Sequence, residues 1–414
     1  MRRAAGAVAV GAVAAVTARA AYAGLRRRPP AGEKTWARTN HRGELVTLLE
    51  GPAASVGAIA AELICAAVAA KAAGRATDSQ TQGATERSRG SRSSRGTALA
   101  GAGALAFGLI DDLAGSGKRR GLRGHLGALA HGEVTTGTVK LGGLAATGFA
   151  AAVFGHTASG HTASGSAASG SAAVGRATDV MINAGLIAGG ANLLNLFDLR
   201  PGRAIKVAVL SGCLIAAGGA VTGGPGPRAA DGRPVGGGRS GGGRAAGLVA
   251  VATPLGASLA LLPEDLGERA MLGDAGANAL GAMLGAAAAR SLPRPARIGL
   301  LAGIVALTVV SEKVSFTRVI ERTPPLRRLD MLGRRPTQGV RGAGSPPIGG
   351  SPGQGVWGAG VPHAGNRPPG ENTETQPPRQ RMGRHRRVEP GVGRVRSAAR
   401  FLDFFYKTPA RQEP

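Results

Sequence analysis

Three short polar stretches border apolar runs of the chain, and each carries residue types that do chemistry. The first, GLIDDLAGSGKRRGL at 108–122, closes an apolar run with the adjacent carboxylates Asp111 and Asp112, then supplies Lys118, Arg119 and Arg120. Adjacent carboxylates at a helix end can hold a divalent cation or act as a base, although such a pair is also an ordinary solvated helix end. The second, NLLNLFDLRPGRAIK at 192–206, spaces Asn192, Asn195 and Asp198 at i, i+3 and i+6, so they line one side of a helix. Arg200, Arg203 and Lys206 follow, a basic group suited to phosphate. The third, MLGDAGANALGAMLG at 271–285, opens an Ala/Gly run with Gly273 and Asp274 and places Asn278 one turn later. Ionisable groups at a membrane edge are costly and are functional candidates by default. Together the three stretches suit one reaction type. Carboxylates can hold Mg²⁺ and basic groups can receive phosphates, and phosphoryl transfer between two anions needs both because charge repulsion is the obstacle.

The elements that must position these residues are membrane helices. About nine apolar runs, each near the ~20 residues that cross a bilayer, lie at 4–24, 51–73, 97–110, 134–154, 178–197, 204–222, 246–263, 275–290 and 297–311. A soluble Ala-rich bundle needs a polar face on each helix, and most of these runs have none. The small residues suit close packing between membrane helices. The first run begins Met1-Arg2-Arg3 and offers AYA at 21–23 as a cleavage site, but the spans that follow favour a retained helix over a signal peptide. The expected fold is therefore all-α and polytopic, with a membrane-embedded domain over 1–332 and a disordered Pro/Gly/Arg-rich tail over 333–414. Three low-complexity inserts, at 74–96, 155–175 and 223–244, read as flexible connections. If each run crosses once, these inserts share one side of the membrane and the polar motifs share the other. The motif side carries the arginines at 26–28, Lys34, Arg38, Arg42, Lys118 and the tail, so the positive-inside tendency places it in the cytoplasm of a plasma-membrane protein.

Composition agrees with this segmentation. The 414 residues include 70 Gly but only 3% aromatics, too few for several large soluble cores, and mean hydropathy is +0.03 because apolar spans and polar inserts cancel. Cys65 and Cys213 both sit in apolar runs, which argues against a disulfide scaffold. The formal net charge of +27 calls for anionic partners. Nucleic acid is disfavoured, because the basic residues are scattered and stacking aromatics are scarce. Lipid headgroups and phosphorylated substrates remain. Near the chain end, AARFLDFFYK at 398–407 is an aromatic patch with basic flanks that suits a membrane surface or a protein partner.

The order DD, then N-x-x-N-x-x-D, then GDxGxxxLGxxLG resembles the polyprenyl-phosphate sugar-1-phosphate transferases, the family that includes the phospho-MurNAc-pentapeptide translocase and the UDP-GlcNAc:undecaprenyl-phosphate transferases. The resemblance covers roughly 36–320, and WARTNHRGELVTLLEGPA at 36–53 is similar to the family's first cytoplasmic loop. It implies that polyprenyl phosphate attacks the β-phosphorus of a UDP-sugar, giving a lipid-linked diphospho-sugar and UMP in cell-envelope synthesis. By this resemblance Asp274 is the main Mg²⁺ ligand, and Asp111 and Asp112 act near the lipid phosphate as base or in positioning. Asn195 and the catalytic candidate Asp198 help form the nucleotide side, and Lys118 and Lys140 contact substrate phosphates; Asn192, Arg200 and Arg203, from the same polar stretch, are further substrate-binding candidates. Envelope-synthesis proteins are the partners expected for the tail. Two departures stand against this pattern: Pro201 occupies the position of a second Asp, and the last motif loop, 311–335, has no histidine. They favour an alternative, a catalytically inactive member acting as a membrane scaffold.

Overall fold

The computed structural model of the protein describes residues 2–73, 81–114, 131, 135–158, 170–221 and 242–336. Nine long helices run among the described residues, one for each apolar run of the sequence. They are α1 (Arg2–Arg27), α3 (Glu50–Ala73), α4 (Thr81–Ala114), α5 (Thr136–Ala158), α6 (Gly170–Phe197), α7 (Arg203–Val221), α8 (Gly242–Leu266), α9 (Gly273–Ser291) and α10 (Arg294–Ser311). Short elements complete the set: α2 (Glu33–Trp36), α11 (Phe316–Arg322) and α12 (Pro324–Met331). Seven of the long helices are long and apolar enough to cross a membrane, which makes the chain a polytopic, helical membrane protein. The two outside that set are α7 and α9. The α7 helix carries Arg203 and Lys206 in its first turn. The α9 helix is built from Ala and Gly and has little need of hydropathy, because it is enclosed by protein: Gly273 and every residue from Ala275 to Ala288 are buried.

This enclosure explains the composition. The α9 helix packs against α3, α4, α6, α7 and α8. Five neighbours fit around one helix only if backbones approach closely, and glycine permits that. A Cβ on Gly276 would lie 2.5 Å from the Gly51 Cα of α3, and one on Gly190 of α6 would lie 2.7 Å from the Gly281 carbonyl oxygen. The main core gathers small side chains of α1, α3, α8 and α9, among them Ala18, Ala54, Ala58 and Ala257, around larger ones such as Leu261, Leu272, Leu280 and Met283.

Two expectations change. The insert at 74–96 is not wholly a flexible connection: from Thr81 onward it is the first half of α4, and Ser91 and Thr97 are buried. The stretch lacks proline, and Arg290 of α9 donates to Ser93 Oγ at 3.2 Å, anchoring it to the bundle. The insert at 155–175 likewise yields its ends to α5 and α6, and 242–244 belong to α8. The remaining parts of the inserts, 74–80, 159–169 and 223–241, lie outside the described residues, as does the tail from 337.

The polar stretch between α1 and α3 folds into an antiparallel hairpin, β1 (Ala37–Thr39) and β2 (Leu45–Thr47), paired Ala37 to Thr47 and Thr39 to Leu45. Asn40 makes the turn, its side-chain oxygen accepting from the backbone N–H groups of Arg42 and Glu44 at 2.8 and 2.9 Å. The second strand continues its pairing across the fold. Thr47 donates to the Arg269 carbonyl and its own carbonyl accepts from Met271 N–H at 3.0 Å. The hairpin thereby fixes the residues leading into α9.

At the head of α9 the packing against α4 is also close. A Cβ on Gly108 would lie 2.5 Å from the Asp274 carbonyl oxygen and 2.6 Å from the Ala275 Cα, both backbone atoms that cannot swing aside. Gly108→Ala is expected to lower unfolding stability in detergent by about 1–3 kcal/mol. Gly142→Ala on α5, where nothing lies within 4 Å of the added methyl, serves as the matched control. Equal thermal midpoints for the two variants would refute the close α4–α9 contact.

Candidate active site

Four of the sequence's candidate residues meet at one end of the bundle, each delivered by a different helix. Asp111 stands in the last turn of α4, Lys140 in the second turn of α5, Asn195 near the end of α6, and Asp274 at the start of α9. Lys140 is the hub. Its ammonium donates to Asp111 Oδ2 at 3.3 Å and also pairs with Asp274 Oδ2. With the Asn195 amide oriented to suit its neighbours, its oxygen accepts from Lys140 Nζ at 2.8 Å and its nitrogen donates to Asp274 Oδ1 at 2.9 Å. The Asp111 and Asp274 carboxylates are within hydrogen-bonding reach of each other. The Lys140 side chain is only 10% exposed, whereas those of Asp111 and Asp274 keep 22% and 25%. The lysine is thus seated beneath the carboxylates, which face outward.

Asp112 does something different. Its two oxygens accept the backbone N–H groups of Asp274, at 3.0 Å, and Ala275, at 2.9 Å. The first turn of α9 has no cap from its own preceding residue, Leu272, so a carboxylate from α4 satisfies the free N–H groups and meets the positive end of the helix dipole. Gly273 enters this turn at φ +61°, and a Cβ there would stand 3.0 Å from Asp112 Oδ2. Glycine is therefore required twice, for the left-handed backbone and for the space. Arg38 of β1 donates to the Asp112 backbone carbonyl. Asp112 positions the head of α9, and Asp111 is the member of the pair that faces the open site.

Asp198 follows α6 immediately. Its carboxylate lies beside the Gly273 backbone N–H at the head of α9. Burial, then the negative charges of Asp265, Asp274 and Asp112, push the Asp198 carboxyl well above the usual carboxylate range. Two acids of this region were not singled out from the sequence. Glu50 and Asp265 are buried, at the start of α3 and the end of α8. Neither Glu50 oxygen has a hydrogen-bond partner among the described residues. The available signal was position, since each is an acid at the motif end of an apolar run.

The basic residues distribute otherwise than expected. Arg203, expected on a substrate phosphate, is engaged in a tether within the protein. It is buried, and its Nε and Nη2 grip the Asp330 carboxylate of α12 at 2.7 and 3.0 Å, while Nη1 donates to Thr317 Oγ1 at 3.0 Å. One two-pronged pair and a hydroxyl engage each of its three nitrogens. Arg200 pairs with Glu321 of α11 at 3.6 Å. Asn192 lies one turn before Asn195 on α6 and is half-buried. Lys118 lies outside the described residues.

Mg²⁺ is characteristically held by one or two carboxylates, with substrate phosphates and water completing its shell. The outward-facing pair Asp111 and Asp274 fits that mode. Among the described residues no three His, Cys, Asp or Glu side chains are arranged to hold a metal unaided. The arrangement accordingly suits a cation delivered with a diphosphate rather than a cage made of protein alone. A comparison of the chain with protein-family models finds no match, and neither does a comparison with curated protein sequences.

Two measurements test this geometry. Asp112→Ala is expected to cost about 1–2 kcal/mol of stability through the lost cap, and Asp111→Ala distinctly less, in unfolding assays in detergent; equal losses would overturn the division of roles. The second concerns the tether. Burial alone would raise the Asp330 carboxyl, but its hydrogen bonds from Arg203 and the charges of Arg203, Arg334 and Lys206 hold it below the usual range. A depressed carboxyl stabilises above its unfolded-state pKa, and that contribution disappears as pH falls through the folded-state value. Limited proteolysis within 312–336 should therefore be slow at neutral pH and accelerate only in acid, and Asp330→Asn should be fast at neutral pH already.

Proposed function

We propose that the protein transfers a sugar-1-phosphate from a UDP-sugar to polyprenyl phosphate, with Mg²⁺, at the cytoplasmic face of the plasma membrane. The observation that carries this reading is the convergence of Asp111, Lys140, Asn195 and Asp274, from four separate helices, on one point at a membrane edge. Phosphoryl transfer between two anions asks for a site that neutralises developing charge and holds both partners in line. Mg²⁺ supplies Lewis-acid polarisation of the diphosphate when bound. Asp274 and Asp111 are the side chains to hold it, and Asn195 fixes the Asp274 carboxylate from the opposite side. Lys140, fixed among three acceptors, offers a positive charge for the transferring phosphate. Asp111, with one oxygen on Lys140 and its side chain partly exposed, is the group to receive or orient the incoming lipid phosphate. Asp198, beside the Gly273 amide and close to the other carboxylates, adds to the negative field of the site.

Two observations favour the second reading, a family-like scaffold without catalysis. Lys140 is already paired with both Asp111 and Asp274, and Arg203, expected on substrate, is engaged by Asp330. A direct assay decides. Purified protein given polyprenyl phosphate, Mg²⁺ and a panel of UDP-sugars should release UMP, and omission of the lipid should abolish it. Asp274→Asn and Lys140→Met should each lower the rate about 10²–10³-fold, the loss typical of one preorganised electrostatic contact. No UMP from any donor, under conditions where an established transferase of this kind works, leaves the scaffold as the function.

A further inference from the structure

The segment after the last long helix carries a surface that neither the fold nor the proposed reaction uses. It comprises α11 and α12, and both are pinned at the plane where the membrane helices end. Phe316, the first residue of α11, stacks on Phe197, the last residue of α6, with ring centroids 5.0 Å apart and planes 10° from parallel. Asp330, the one buried residue of α12, is held by Arg203, the first residue of α7. Lys206, one turn further along α7, donates to the Asp330 carbonyl at 2.6 Å. The chain reaches α11 from Ser311, the end of α10, a membrane-crossing helix. The segment therefore lies at headgroup depth, along the edge of the bundle.

At that depth it exposes two kinds of side chain together. Leu326 and Leu329, three residues apart on one face of α12, are 44% and 49% exposed, and Leu332 beyond the helix is 66% exposed. Arg322, Arg327 and Arg328 are exposed beside them. The acid of α12, Asp330, is turned inward and neutralised. Leucines on one side of a short helix and arginines on the other are what an interfacial helix presents, with apolar groups entering the acyl boundary and guanidinium groups reaching the headgroups. From this we infer that α11 and α12 form an interfacial strap that docks on anionic lipid headgroups, its charge complementary to an acidic leaflet. This does not rest on the transferase reading.

The test uses the full chain with Cys65→Ser and Cys213→Ser, carrying an environment-sensitive fluorophore on Leu329→Cys, in vesicles of phosphatidylcholine alone or with phosphatidylglycerol added. With the acidic lipid, the label should become quenchable by nitroxide-bearing lipid and shielded from aqueous iodide. Each arginine near a charged leaflet shifts such an equilibrium about fivefold. Arg327→Ser with Arg328→Ser should therefore reverse the protection by more than about tenfold, and high salt on the parent protein should weaken it. Equal iodide access in both vesicle types overturns the proposal. So does protection already present in detergent that scales with protein concentration, which assigns the surface to a second copy of the chain.

Discussion

The Asp112 carboxylate accepts both free N–H groups at the head of α9, and much else is arranged around that contact. It is a cap supplied by another helix, so it joins α4 to α9 at the same moment as it satisfies α9's first turn. Joining them requires that α4 come close, which is the reason for Gly108, and that the chain enter α9 with a left-handed residue, which is the reason for Gly273. Once α9 is seated, its next residue, Asp274, is aimed at Asp111 and Lys140. The adjacent pair Asp111-Asp112 thus divides its labour by the geometry of a helix end. Neighbouring residues point about 100° apart, so one can bind the bundle while the other faces the open site.

The second constraint is charge. Asp111, Asp112, Asp198 and Asp274 gather where membrane helices end, and unpaired anions in a partly dry setting are expensive. The structure offsets this with few cations placed well. Lys140 meets two of the carboxylates, Arg38 stands on the Asp112 carbonyl, and backbone N–H groups of the α9 turn meet Asp112. The other arginines are engaged at the periphery, where Arg203, Arg334, Arg42 and Arg335 pair with Asp330, Glu268 and Glu44. The +27 of the whole chain is therefore a poor guide to the site, whose own balance is acidic.

What the sequence discloses and what it conceals follow from the same physics. Each apolar run became one helix because a bilayer leaves backbone polar groups no alternative partner, and the DD, NxxNxxD and GD stretches sit at helix ends because charges retreat there. That much is local and readable. Pairing is not local. Nothing in the spacing of Arg203 distinguishes a phosphate contact from a partner for Asp330, 127 residues away. Nothing in β1 and β2 announces a hairpin, since three-residue strands carry too little alternation to register. The polar first half of α4 was hidden for a related reason: Ser and Arg are compatible with helix and with loop, and the Arg290 contact to Ser93 comes from 197 residues away in the chain.

The scarcity of aromatics follows from the central position of α9. A helix with protein on every side leaves no lipid-facing groove for large side chains, and its neighbours must be thin to surround it. Ala and Gly supply that thinness along α3, α4, α6 and α8, and the bulk that fills the core comes from a small set of larger side chains, mainly Leu and Ile with Met283, Trp36 and Tyr22. Close backbone approach holds helix ends in tight register, because a shift of one helix along another drives Cβ atoms into backbone, as at Gly108 and Gly276. Four side chains from four helices can meet around one ammonium only if those ends cannot slide. The glycine-rich packing deep in the bundle and the acidic constellation at its edge are two consequences of one requirement.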